Sequence, residues 1–393
     1  MQFFSFIAKN VLRRKVRSLL TGIGVAVAIA AVVALLGVAR GFEDSSRQML
    51  SSRGVDVVVV RAGLGQEDTA RLFENIGEQI AQLPEVAKVA PVLTDHAKLE
   101  LQAWVPIVGY PADSFAVDQL VVPPNNGRKL TAKDHNGVML GAILARNLDN
   151  KKPGDQVTID EVKFTVVGVF QGSTMVENGE AVALLPDLQT LMDRYATDDA
   201  GKRIGQVTQF QVVLKPGLKT DEAAMEKVRT EIKNLSGPDG KAYGLAAQTS
   251  EQYVNNSNEV RLSQAMAWMT SAIALIIGAV GMLNTMIMSV LERTQEIGIL
   301  RAIGWRKIRI MRMILWESFT LSLAGAAAGT LAALVLTRFA SRLPASNGLV
   351  EPNISPTVIG IGFLLALLVG LVGGAYPAIR GASLPPTEAL RYE

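Results

Sequence analysis

The chain has 393 residues, of which 49% are hydrophobic and only 19% charged, with a net charge of +3. A soluble protein carries nearer a quarter charged residues, and four charge-free runs account for the shortfall, which excludes a simple cytosolic enzyme. With no cysteine and only two histidines, His96 and His135, disulfides, thiolate chemistry and a His-rich metal site are excluded as well.

Residues 1–17 hold Lys9, Arg13, Arg14, Lys15 and Arg17 and no acid. Lys9, Arg13 and Arg17 share one helical face, opposite Phe4, Ile7, Ala8, Val11 and Leu12. This predicts an amphipathic helix on the cytoplasmic membrane face. Residues 18–39 form the first charge-free run and the first predicted span. It exceeds the roughly 7–15 apolar residues of a signal peptide. Residues 262–291, 313–337 and 353–379 are the other predicted spans, each near the roughly 20 residues that cross a bilayer.

The segment 40–261 is acidic on balance, and the flanks are basic. Val55–Val60, Val86–Val92, Lys98–Val108 and Thr208–Leu214 read as strands, and 66–82 and 220–235 as helices. Gly154–Phe170 reads as a hairpin turning near Asp160-Glu161. The order predicts an α+β domain of two lobes, one from roughly 50–110 plus 206–260, with a β-rich lobe of about 111–205 inserted. The basic loop 292–312 and the basic N-terminus belong inside by the positive-inside rule. The domain 40–261 and the loop 338–352 are then outside, and the tail 380–393 is inside. Because the freely exposed domain is acidic, nucleic-acid binding is not expected.

No energy source is visible in the 393 residues. The nearest approach to a P-loop is Gly237-Pro238-Asp239-Gly240-Lys241-Ala242, which has the wrong spacing and no hydroxyl for magnesium. No HExxH or GxSxG occurs. The pair Asp198-Asp199 reads as solvated, and Glu317, near Arg312, reads as a carboxylate at the membrane interface or in a helix contact. No catalytic, cofactor-binding or metal site is therefore predicted. Small residues at helical spacing, Gly278 and Gly281, Gly325 and Gly329, and Gly370 and Gly374, predict close helix packing.

The loop ERTQEIGILRAIG (292–304), followed by WRKIRIMRMILWES, carries acidic, apolar and basic residues on one short helix. Glu292 and Glu296 lie one turn apart. Ile297, Leu300, Arg301 and Gly304 form another stripe. Such a surface suits a cytoplasmic partner, and a purely topogenic basic helix is the alternative.

This loop resembles the cytoplasmic segment of the MacB-type ABC transporter permeases, a group that includes the lipoprotein-releasing and FtsX-like permeases. NVLRRKVRSLLTGIGVAVAIAAVVAL (10–35) and YPAIRGASLPPTEALRYE (376–393) resemble the family's first span and C-terminus. GVMLGAILARNL, KPGDQVTI and FTVVGVF resemble parts of its outer domain. Trp305 stands where a small residue is expected.

The resemblance implies a multi-pass protein of the bacterial inner membrane with both termini cytoplasmic and a periplasmic domain of a porter-like and an inserted lobe. It implies a non-catalytic subunit that forms a dimer, most simply of two identical copies. A separate ABC ATPase that holds ATP and Mg would dock on Glu292, Arg293, Glu296, Ile297, Gly298, Leu300, Arg301, Gly304 and Trp305. Mechanotransmission to the outer domain would drive export, with a periplasmic adaptor and membrane lipids as further partners. The alternatives are an FtsX-like regulator of partners outside the membrane and an anchored sensor without an ATPase.

Overall fold

The computed structural model describes residues 15–63, 71–100, 103–197, 203–219, 221–341, 343 and 353–385. Most of the amphipathic segment 1–17, most of the loop 338–352, the end of the tail and Asp198-Asp199 lie outside the described residues.

The described residues form two compact units. The membrane unit comprises 15–40, 263–340 and 353–385. The β-rich unit comprises 41–262 with 341 and 343.

Four helices are long and apolar enough to cross a membrane. They are α1 (Lys15–Ser52), α9 (Asn258–Glu292), α11 (Lys307–Ala340) and α12 (Pro356–Ser383). Each outruns its charge-free segment. The first span was expected to end at 39, yet the helix continues to Ser52. Loss of apolar character ends a span but not a helix, because backbone hydrogen bonding continues in water wherever no breaker intervenes. The helix stops at Gly54, which has φ +70°. Inside the membrane unit, Val25, Ile29, Val33, Met282, Met286, Ile314, Ala326 and Ala366 build the core.

The remaining helices and the strands are α2 (Ile76–Ala81), α3 (Phe115–Gln119), α4 (Ala142–Asn147), α5 (Met175–Asn178), α6 (Leu185–Leu191), α7 (Glu222–Lys233), α8 (Ser250–Asn256) and α10 (Thr294–Ala302), with β1 (Val57–Arg61), β2 (Leu72–Phe73), β3 (Val86–Leu99), β4 (Ala103–Tyr110), β5 (Gly137–Gly141), β6 (Gln156–Ile159), β7 (Val162–Phe170), β8 (Ala181–Leu184), β9 (Tyr195–Thr197), β10 (Arg203–Val207), β11 (Gln209–Leu214) and β12 (Leu245–Thr249).

One nine-stranded sheet runs β12-β1-β11-β3-β4-β8-β5-β7-β6. β6 also pairs back to β3 at Leu99↔Ile159, so β3, β4, β8, β5, β7 and β6 close into a barrel. Val105, Ile107, Leu140, Phe164 and Val166 belong to its apolar core. The long strand β3 serves both parts. Its first half pairs with β11 and its second half with β4. The two strands expected at Val86–Val92 and Lys98–Val108 are thus a hairpin whose first arm runs unbroken through 93–97. The inserted sheet accordingly begins within β3, upstream of 111.

The helix expected over 66–82 is described from Ile76 only, and Leu72–Phe73 is a short strand paired with β10. The hairpin expected at Asp160-Glu161 is present, with Ile159↔Val162 as its last pair. Both turn residues have positive φ, 42° and 70°. That is the geometry a two-residue hairpin demands, here met without glycine.

Candidate functional site

The segment expected to meet a partner is built around α10. Span helix α9 ends at Glu292, and α10 restarts at Thr294, so Arg293 sits at the break. Its guanidinium is buried. It donates to both carboxylate oxygens of the buried Glu317, Nη1 to Oε2 at 2.9 Å and Nη2 to Oε1 at 3.1 Å. A bidentate pair is directional and ties the end of α9 to α11. Glu317 therefore belongs to a helix–helix contact, one of the two roles anticipated for it, and its partner is Arg293, not Arg312.

The other end of α10 is closed by a Schellman cap. Gly304 has φ +100°. Trp305 N–H donates to the Leu300 carbonyl at 3.0 Å, and Gly304 N–H to that of Arg301 at 3.1 Å. Leu300 and Trp305 both pack on the membrane core, the apolar contact that accompanies this cap. Glycine is required at 304 because a side chain is strained in the left-handed region.

These constraints fix which face of α10 looks outward. Arg293, Thr294, Ile297 and Gly298 are buried, and Leu300, Arg301 and Trp305 are half-buried. Glu292, Glu296 and Gly304 are exposed. So are Ile299 and Ile303, at 48% and 73%. The sequence stripe Ile297–Leu300–Arg301 is thus largely the inward face. Ile299 and Ile303 were missed, although their spacing from Glu296 by three and seven places them on its face.

The six packing glycines divide. A side chain at Gly325 would meet Val25 at 2.8 Å, and one at Gly329 would meet the Ala26 carbonyl, so α1 and α11 touch along their backbones. Gly370 and Gly374 face Ser322 and Ser318, which brings α12 onto α11. Gly278 faces Ala28 at 3.0 Å. Gly281 is exposed and has nothing within 4 Å among the described residues, so it packs against none of them. Gly362, Gly373 and Gly381 were not singled out, yet they face Val33, Met282 and Val290.

A second charged cluster lies in the β-rich unit and was not anticipated. Arg53 follows α1 and is buried. Its Nε and Nη2 donate to Glu177 Oε1 at 3.0 and 2.7 Å. Nη2 also donates to Glu180 Oε1 at 2.7 Å, and Nη1 donates to Tyr110 Oη. Glu177 accepts further from the Ser173 backbone at 2.6 Å and the Ser173 hydroxyl at 3.0 Å. With both carboxyls ionised the cluster would carry one excess negative charge. Burial pushes the Glu180 carboxyl up and the Tyr110 phenol up to about 12. No local sequence signal joins these residues.

A carboxyl whose folded pKa is raised binds its proton more tightly when folded. Its stabilising effect is complete below the unfolded value, near 4.3, and is lost as pH rises through the folded value. The β-rich unit should therefore resist urea less well at about pH 8 than at about pH 5, and Glu180→Gln should flatten that dependence. Pulse proteolysis of the full chain in nanodiscs measures it, and an unchanged slope in the variant would remove Glu180 as the source.

Among the described residues, no group of three or more His, Asp or Glu side chains is placed to hold a metal. His135 Nδ1 lies 4.0 Å from Asp187 Oδ1.

Together, four apolar helices knit by glycines, a capped helix between the second and third, and a large β-rich unit after the first define a multi-pass membrane protein with a folded domain between its first two spans. The family described as "MacB-like periplasmic core domain" matches residues 18–234, and "FtsX-like permease C-terminal" matches 268–386. The chain belongs to the MacB/FtsX-like ABC transporter permease family and is a multi-pass membrane protein.

It is 27% identical to the macrolide export ATP-binding/permease protein MacB of Bdellovibrio bacteriovorus, covering 100% of this chain and 61% of that protein. It is 28% identical to the pyoverdine export ATP-binding/permease protein PvdT of Pseudomonas syringae pv. tomato, over 96% of this chain and 57% of that one. The chain therefore spans about three-fifths of the length of these relatives. An uncharacterised ABC transporter permease of Methanocaldococcus jannaschii is 26% identical and is covered over 97% of its length. The periplasmic region of MacB from Actinobacillus actinomycetemcomitans is a structural neighbour at 14% identity, covering 51% of this chain and 92% of that one, with a TM-score of 0.37.

Proposed function

We propose that this chain is the membrane subunit of a MacB-type ABC exporter. ATP and Mg are held by a separate ATPase subunit. The observation that carries this reading is the outward stripe of Glu296 and Ile299 on α10, continued by Ile303 and Gly304 at its cap and by Glu292 at the end of α9, on a helix held by the Arg293–Glu317 pair and the Gly304 cap. An exposed acidic and apolar stripe on a restrained helix has the character of a protein-docking surface. A restrained helix passes on displacement instead of absorbing it.

Residues 292–312 face the cytoplasm in this reading, as do both termini, and the β-rich unit is periplasmic. Two copies of the chain pair in the bilayer. ATP-driven closure beneath them moves the β-rich units and drives export by mechanotransmission. A periplasmic adaptor fits the same scheme. The named exporters among the relatives, for macrolides and pyoverdine, give the substrates to try first.

Glu296→Lys is expected to abolish most stimulated hydrolysis while leaving the fold intact, because Glu296 is exposed. Gly298 is buried, so substitution there disturbs packing before it disturbs docking. The tagged chain is purified in mild detergent with its bound ATPase, and hydrolysis is read in nanodiscs. Wild-type hydrolysis in the variant sinks the docking assignment. Recovery of the chain with no ATPase favours the anchored-sensor alternative.

A further inference from the structure

At the start of α11 a groove of about 580 Å³ opens between Trp305, Arg306, Ile308, Arg309, Arg312 and Trp316. Among the described residues it contains three arginines and no carboxylate. Arg306, Arg309 and Arg312 are exposed and form no ion pair among the described residues. The Arg309 guanidinium lies 4.1 Å above the Trp305 ring. That contact orients the cation without neutralising it.

Position along the helix says what such a groove faces. α11 is a span helix of 34 residues, about 51 Å at 1.5 Å per residue. A hydrocarbon core is only about 30 Å thick. The charge-free run begins at Ser318, so Arg312 stands roughly 9 Å before it, at headgroup depth. Trp316 marks the boundary, where tryptophan is favoured. Beyond it the same face stays apolar and exposed through Phe319 and Leu323. The Trp316 and Phe319 rings meet edge to face at 5.2 Å. The face thus reads cationic, then aromatic, then aliphatic, in the order of a phospholipid's own parts.

We propose that this groove is a binding site for an anionic phospholipid. Its phosphate sits among Arg306, Arg309 and Arg312, and an acyl chain lies along Trp316, Phe319 and Leu323. The site rests only on α11 crossing a bilayer, not on the ATPase reading. Each basic residue near an anionic headgroup favours association by about fivefold.

The test uses the full chain in nanodiscs. The chain has four tryptophans, so Trp104→Phe and Trp268→Phe leave Trp305 and Trp316 as reporters. Phosphatidylglycerol and phosphatidylcholine with brominated acyl chains are added at equal mole fraction. Phosphatidylglycerol should quench the more strongly. R309Q should weaken that preference about fivefold, and R306Q/R309Q/R312Q should abolish it.

Equal quenching by the two lipids, or a preference that survives the triple variant, overturns the site. Inorganic phosphate at matched ionic strength should leave the preference intact, and its loss would assign the arginines to free phosphate instead. If the triple variant loses a co-purifying ATPase while the two lipids quench equally, the groove belongs to a protein partner and the proposal fails. Native mass spectrometry of the wild-type chain checks the result without substitutions: it should retain phosphatidylglycerol over phosphatidylcholine, and indifference between them counts against the site.

Discussion

Arg53→Ala is expected to destabilise the β-rich unit by about 3–5 kcal/mol, enough to leave much of it unfolded. The side chain donates to Glu177, Glu180 and Tyr110, all of them buried. Removing it leaves two carboxyls in an apolar setting with no cation. They must then take up protons or draw water inward, and either course loosens the packing. The loss arises chiefly from stranding the carboxyls, not from losing the attraction of the pair. R53M/E177Q/E180Q should therefore recover most of the stability. Arg128→Ala is the contrast. Its bidentate partner Asp134 is just as close, at 2.6 Å, but Arg128 is 58% exposed, so about 1 kcal/mol or less is at stake. Urea midpoints of the full chain in nanodiscs, read by pulse proteolysis, rank the three variants. A loss below about 1 kcal/mol for Arg53→Ala would mean that the cluster is solvated in the working protein.

Gly329→Val is expected to separate α1 from α11. Its first carbon lands on the Ala26 carbonyl and 3.1 Å from the Ala30 nitrogen. Backbone cannot move aside as a flexible side chain can, so the helices must part. Overpacking of this kind costs about 1–3 kcal/mol or more. Without a hydrophobic force between helices in lipid, little compensates. Gly281→Val adds the same atoms to the same residue type in a span. Nothing lies within 4 Å of that position, so a change within about 0.5 kcal/mol is expected. Unfolding in detergent, followed by helix content against denaturant, separates the two. Equal behaviour would mean that the α1–α11 contact does not support the membrane unit, or that Gly281 packs against a second copy.

Much of this protein is legible in one dimension. Four charge-free runs foretell four spans, because length and lack of charge are local properties that the bilayer reads directly. The turn at Asp160-Glu161 follows from the alternation around it. The loop 292–304 could be singled out because it mixes acids, isoleucines and arginines beside a membrane.

What the tertiary structure alone decided is which neighbours those residues have. Of six glycines with one expected role, five meet another helix and Gly281 meets nothing. Spacing fixes the face a glycine occupies, but not whether a partner helix lies there. β3 runs unbroken through 93–97 because both of its halves find partner strands, one in β11 and one in β4. The cluster at Arg53 joins residues as far as 127 positions apart. Taken singly, an arginine or a glutamate gives no sign of burial, because such residues are mostly exposed. Only the packing of the folded β-rich unit around them removes the water and turns ordinary polar residues into a buried charge cluster, since desolvation depends on everything packed nearby and not on the sequence at hand.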